Sequence, residues 1–393
     1  MKKTNTPQEP GLCSRSPRAG FLRGFRVRKG VFTVLVLGCA MTAMAAGNDR
    51  EHSASSVEQR QKTELKKYYY GNGKTGDAPK TPMAIEFYNQ AVQFYEKGEY
   101  ELAREALDES LQLEARNPLA WELLGEIENL GQNFDKAGEC YRKSYLMSPS
   151  PRVKAKLEKL TKEQAVEGRL DTYDEEHFII KYRRDDPKYE GYTLQGILRD
   201  SYRAVSQDLG FYINNKIVVL FYGGDEFRSI TNQPHFVGGL YDGKIRLPAY
   251  QKGINDLTLR VAVRHEMTHA FVSYLSSLRA PAWIQEGLAE YEGSKVRPVD
   301  LAMLRIAAKA NKLIPVDRFL IQDINTQKNP EELMIFYQQA FNFTAFLVER
   351  FGMYRIKEIL QEFRKGSDSF AAIEQVLSVS PKRLESEWLE TLT

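Results

Sequence analysis

Cysteine and histidine are scarce in this chain, with three cysteines and five histidines among 393 residues. Cys13 and Cys39 fall in the first 46 residues, so Cys140 stands alone beyond them, and a single cysteine makes no internal disulfide. An apolar run of membrane-spanning length is also lacking. The stretch VFTVLVLGCAMTAMAAG, from Val31 to Ala46, falls short of the roughly 20 residues a span needs. Charge of one sign is nearly balanced as well. The net charge is +3, and eight basic residues between Lys2 and Lys29 inflate it, so no case for nucleic-acid binding follows.

What the amino terminus does contain is a basic segment, a short apolar segment and Ala43-Met44-Ala45. That order reads as a secretory signal over residues 1–46, cut after Ala45 or Ala46, and predicts an exported protein, periplasmic or secreted. Val36-Leu37-Gly38-Cys39 resembles a bacterial lipobox and leaves lipid anchoring through Cys39, or an uncleaved signal anchor, as the alternatives. Membrane association is expected through these routes alone. Residues 47–82 are polar and end in GNGKTGDAPKTP, the composition of a flexible tether.

From residue 84 to 151 the sequence repeats with a period of about 34 residues. The second unit, PLAWELLGEIENLGQNFDKAGECYRKSYLMSP, carries Trp121, Leu124, Gly125, Phe134, Ala137, Tyr141 and Pro149. The first carries Phe87, Ala91, Gly98, Tyr100, Ala103 and Leu107. Both resemble tetratricopeptide repeats, in which small residues let paired helices approach while aromatic ones fill the gaps. Two repeats bury little surface, so a capping helix is expected over 152–168, giving a repeat domain over 83–168. Such a pair serves either as a groove recruiting a protein partner or as a spacer packed on the next domain. Cys140, inside the second repeat, reads as a small buried residue.

After Gly168 the period changes. HFIIKYR (177–183) and KIVVLFY (216–222) read as strands, separated by a helical stretch over about 192–209. GGLYDGKIRLP (238–248) reads as a turn entering a strand. From Asn255 onward the pattern is helical, with breaks at Pro281, Pro298, Pro315 and Pro330. The fold class expected is therefore α+β, mostly α, with a helical-repeat domain followed by a second domain over 169–393 made of a small sheet and a helical half.

The chemistry concentrates in RHEMTHAF (264–271). At about 3.6 residues per turn, His265 and His269 share one helix face, while Val263, Met267, Ala270 and Phe271 mark an apolar face that would anchor the helix. Glu266 adjoins the first histidine and can reach a water held by a metal, as in HExxH zinc sites. His52, His177 and His235 have no comparable spacing and read as tether, strand and loop residues. A catalytic zinc takes three protein ligands, and candidates for the third lie in PAWIQEGLAEYEG (281–293).

HEMTH followed by Trp283, Glu286, Gly287, Ala289, Glu290 and Tyr291 resembles the gluzincin metallopeptidases, including the aminopeptidase N and thermolysin families. The resemblance spans about 175–393, and its motifs concentrate between His265 and Tyr291. It implies a zincin-like fold, Zn(2+) as cofactor, Glu286 as third ligand, and Glu290 as acceptor for the free N–H of a metal-binding histidine. It also implies Tyr337, with Ala340 in a Y-x-x-A frame, as a donor to the developing oxyanion. No Gly-x-Met-Glu-Asn precedes the HExxH helix, so the acidic anchor for a free amino terminus lacks a counterpart and internal cleavage is favoured. The reading that results is an exported zinc peptidase acting on a protein or peptide substrate, with Glu266 as general base. The alternative is a non-catalytic repeat scaffold carrying a vestigial peptidase-like domain.

Overall fold

The computed structural model describes residues 81–183, 191–231, 238–250, 256–324 and 329–392. The expected signal segment, the lipobox with Cys39, the tether up to residue 80, His52 and His235 lie outside the described residues.

Three of the first five described helices open on the same local device. Thr81, Asn117 and Ser150 each accept a backbone N–H with the side-chain oxygen, and Pro82, Pro118 and Pro151 follow in the first turn, where a missing N–H costs nothing. They begin α1 (Pro82–Glu96), α3 (Pro118–Leu130) and α5 (Pro151–Glu167), while α2 (Tyr100–Leu113) and α4 (Phe134–Met147) complete two helix pairs. Ala91, Ala103, Leu107, Leu124 and Cys140 share one apolar cluster between these helices. Gly125 faces Tyr141 so closely that an added Cβ would lie 2.6 Å from two ring carbons, which is why this turn of α3 carries no side chain. Cys140 is buried, and burial pushes its thiol up to about 11.

The next segment holds a mixed five-stranded sheet in the order β1-β2-β3-β5-β4. Its strands are β1 (Asp171–Asp174), β2 (Phe178–Tyr182), β3 (Ile217–Gly223), β4 (Leu240–Tyr241) and β5 (Ile245–Tyr250). β2, β3 and β5 run parallel; β1 and β4 pair antiparallel at the two ends. The helix α6 (Gly191–Leu209) crosses from β2 to β3, and the unbroken apolar run of β3 suits a strand buried on both faces. Two elements escape the sequence reading: β1, whose DTYD is mostly exposed, and the short α7 (Gly224–Thr231).

Eight helices follow: α8 (Asp256–Ser276), α9 (Ala282–Ser294), α10 (Ala302–Lys309), α11 (Val316–Phe319), α12 (Pro330–Phe351), α13 (Met353–Lys365), α14 (Ser369–Leu377) and α15 (Pro381–Glu390). Pro281, Pro315 and Pro330 stand at helix starts, the positions where proline is tolerated. One apolar cluster runs from the sheet through α8 and α9 to α15. The composition is mostly helical with a small mixed sheet. Among the described residues no helix is long and apolar enough to cross a membrane.

A buried cluster of charges lies where the helix pairs meet the sheet. Arg246 on β5 donates to Glu163 at 2.7 Å and Glu167 at 2.9 Å, both on α5, and to the Tyr222 hydroxyl at 2.6 Å. Tyr222 in turn donates to Glu167 at 2.5 Å. Lys244 stands 3.5 Å from Glu163 and 3.8 Å from Glu167. At the other end, Gly98, with φ +76°, fits beneath the Tyr274 ring of α8, where any Cβ would collide.

Candidate metal centre

The HExxH segment lies in the middle of α8, a helix surrounded on nearly every side. Val263, Met267, Ala270 and Phe271 are wholly buried, and α8 packs against α6, α9, α13 and β5. The sequence marked one apolar face, yet the histidine face is covered as well, by α9. His265 and His269 are each 6% exposed and Glu266 is 2% exposed.

α9 reaches this position because of what flanks it. The turn at Pro281 folds the chain back, and Trp283 anchors the first turn by donating to Ser369 Oγ at 3.1 Å and packing edge-on to Phe343. Gly287 then lets α9 approach α12: a Cβ there would lie 2.1 Å from Thr344 Oγ1 and 2.6 Å from the Ala340 carbonyl. Glu286, one residue earlier, is thereby held against α8.

Glu286 Oε2 lies 3.7 Å from His265 Nε2 and 3.6 Å from His269 Nε2, and the two Nε2 atoms are 3.1 Å apart. A tetrahedral zinc with bonds of about 2.0–2.1 Å requires its ligand atoms to be about 3.3–3.4 Å apart. The triangle matches that requirement, and among the described residues these three form the group able to hold a metal. Glu286 Oε2 is buried and accepts no hydrogen bond, which is the state expected of an oxygen reserved for a cation.

Each imidazole also meets a partner at its other nitrogen. Glu290 Oε1 stands 3.6 Å from His265 Nδ1, and Gln285 Oε1 stands 3.2 Å from His269 Nδ1. A hydrogen bond from Nδ1 fixes the tautomer and aims Nε2 at the triangle; Gln285 is within that reach of His269, while Glu290 stands slightly beyond it from His265. Gln285 was absent from the sequence reading, because a polar residue one position before Glu286 carries no signal until the helices are brought together.

Burial dominates the electrostatics. It pushes Glu266 up to about 8, with the charges of Asp242 and Glu290 adding to the effect. Glu290 also rises to about 8 by burial, against the pull of Arg297, and Glu286 is held well above the carboxylate range by burial and then by Glu266 and Glu290. Burial lowers His269 to about 4, opposed by the Gln285 hydrogen bond, and holds His265 well below its usual value with the help of His269. Packing these groups together therefore opposes ionisation, and a divalent cation among the three ligand atoms would reverse it.

Glu266 Oε2 is buried without a hydrogen-bond partner, and the backbone before β4 closes over this carboxyl. A Cβ at Gly239 would lie 2.6 Å from Glu266 Oε1, so only glycine lets the chain pass there. Tyr337 sits on α12, one turn before Ala340, 1% exposed and with its ring edge-on to Phe336. His177 stacks on Tyr202 with ring centroids 4.1 Å apart, a structural position remote in role from the ligand triangle.

Comparison with known proteins locates one match along the sequence. Residues 250–393 match the family profile described as the Peptidase MA superfamily, and a peptidase MA-like domain accounts for that portion. Among curated proteins, the E3 SUMO-protein ligase RanBP2 of Pan troglodytes and its Homo sapiens counterpart are each 31% identical over 113 residues. That stretch is 28% of this chain and 4% of each relative. The human RANBP2-like and GRIP domain-containing protein 2 is 33% identical over 96 residues, 24% of this chain and 6% of the relative. The chain thus spans a small fraction of the length of the curated relatives it matches.

Proposed function

We propose that this chain is a zinc-dependent peptidase that cleaves protein or peptide substrates internally, exported under its amino-terminal signal. One observation carries the reading: the His265, His269 and Glu286 ligand atoms form a triangle of tetrahedral size on two abutting helices, with Glu266 beside it. Zinc held there supplies Lewis acidity, which lowers the pKa of a water to about 7 and polarises a peptide carbonyl.

The remaining work falls to the chain's own groups. Glu266 takes the proton of the attacking water and passes it to the departing amine, a role that needs its carboxylate ionised by the field of the bound cation. Gln285 holds the His269 imidazole in one tautomer, and Glu290 is the corresponding acceptor proposed for His265. Tyr337 is the proposed donor to the oxyanion, from the helix that supports α9. β4, last in the strand order of the described sheet, lies against Glu266 through Gly239 and offers an edge on which an extended substrate can pair. The tetratricopeptide-like helix pairs orient that substrate or recruit a partner.

The test uses the full chain and its Glu266→Gln variant, incubated with a bacterial proteome with and without chelator, and maps the new termini. The variant is expected to keep its zinc and lose turnover by roughly 10²–10⁴-fold. Cleavage at the wild-type rate by Glu266→Gln would remove the base and with it the proposed mechanism.

A further inference from the structure

A cavity of about 210 Å³ lies between the helix pairs and the sheet. Its walls come from both sides: Ile127 and Leu130 from α3, Ile217 and Val218 from β3, and Ile179 from β2. Three tyrosines complete it, Tyr100 of α2, Tyr241 of β4 and Tyr274 of α8. Neither the metal centre nor the pairing of the helices requires this space.

The polar groups that line it already have partners. The Tyr100 and Tyr274 hydroxyls are hydrogen-bonded, and Tyr274 is bonded further to Asn215. Arg104 is paired with Glu101 and Glu128, and Lys216 with Asp174. What the cavity offers a ligand is therefore mostly aromatic and aliphatic surface. An apolar cavity of about 150 Å³ suffices for a benzene ring, so this one admits a single aromatic side chain.

Its position ties it to the cleavage site. Gly239 lies against Glu266, and Tyr241 is two residues further along the same backbone. Residues of an extended backbone advance about 3.3–3.4 Å each, so Tyr241 stands roughly 7 Å along the chain from the glycine that touches Glu266.

We propose that this cavity is a specificity pocket, built jointly by the helix pairs and the sheet, that receives one aromatic side chain of an extended peptide paired with β4. The proposal rests on the peptidase reading for its placement in a substrate site. On it, the helix pairs read part of the substrate directly, at the wall formed by α2 and α3.

The test measures binding separately from cleavage. Ligand-detected NMR is run on the full chain with N-acetyl-phenylalaninamide, N-acetyl-alaninamide and N-acetyl-lysinamide as probes. The phenylalanine probe is expected to bind wild type and Glu266→Gln alike, and the other two far more weakly. Leu130→Trp fills the cavity from α3 and Ile179→Trp fills it from β2; each is expected to weaken the phenylalanine probe by about 10–100-fold, the value of burying one ring. A thermal melt identifies whichever variant fails to fold, and the other then decides. Equal binding in wild type and a folded filled variant, or no preference for the aromatic probe, overturns the pocket. In the proteome digest the same variants are expected to erase an aromatic preference at one fixed position beside the scissile bond. If wild type cleaves nothing, the peptidase reading fails while probe binding still decides the pocket.

Discussion

Replacing Arg246 by methionine removes the cation at the centre of the contact between α5 and the sheet. The guanidinium is 1% exposed and donates to Glu163, Glu167, Tyr222 and Asp242 at 2.6–2.9 Å. Burial alone would raise Glu163, but Arg246 and then Lys244 hold it below the ordinary carboxylate value. Removing one partner of a buried ion pair costs about 3–5 kcal/mol, because the other charge stays behind unpaired. Lys244, at 3.5 and 3.8 Å, still compensates in part, which places the expected loss near the lower end, about 3 kcal/mol. For a protein of this size, at about 2.1 cal/mol/K of unfolding entropy per residue, that corresponds to a melting temperature lower by about 4 °C. The assay is urea unfolding followed by tryptophan fluorescence, with Arg246→Met compared to the quadruple variant that adds Lys244→Met, Glu163→Gln and Glu167→Gln, so that no buried charge of the cluster is stranded. Neutralising the cluster should restore about 2 kcal/mol, since buried ion pairs replaced entirely by uncharged groups are often close to neutral. An Arg246→Met loss below about 1 kcal/mol, or a quadruple variant no more stable than the single one, would refute the idea that this cluster fastens the helix pairs to the sheet.

Further outcomes bear on the metal centre. Gln285→Leu removes the acceptor at His269 Nδ1 and is expected to weaken zinc binding by about 10–100-fold, measured by competition with a chelating dye; unchanged affinity sinks the orienting role. Gly287→Ala forces α9 from α12 and is expected to cost about 1–3 kcal/mol, with Thr344→Ala restoring only part because the Ala340 carbonyl still obstructs. In chelator-treated protein, Glu266 and Glu290 keep protons up to about pH 8 that the unfolded chain releases near 4.5. The folded state then binds more protons than the unfolded one, so its melting temperature should fall as pH rises from about 6.5 to 8, a window above the titration of His269. Added zinc should abolish that fall; a flat profile without metal contradicts the buried-carboxyl account.

Much of this molecule was legible before any coordinates. The strands at 177–183 and 216–222 announce themselves because β-branched and aromatic residues cluster in short runs, and the helix breaks at Pro281, Pro315 and Pro330 because proline punctuates. His265 and His269 stand out through their helical spacing, whereas Glu286 came from the gluzincin resemblance; the structure brings the three side chains within 3.1–3.7 Å of one another. β1 was not legible, since DTYD takes its strand form from pairing with β2 rather than from any apolar alternation of its own. Nor was the ion cluster: Glu163, Glu167, Lys244 and Arg246 look like solvated charges in sequence, and only the docking of α5 on β5 buries them. Gln285 and Gly239 escaped for the same reason, each acquiring its role from a neighbour distant along the chain.

The most direct measurement is the zinc content of purified full-length protein by mass spectrometry, for wild type and for His269→Ala and Glu286→Ala. One zinc per wild-type chain, and almost none in either folded variant, is the predicted result. A wild type without metal, or variants that retain the full complement, would contradict the assignment of these side chains to a common ion.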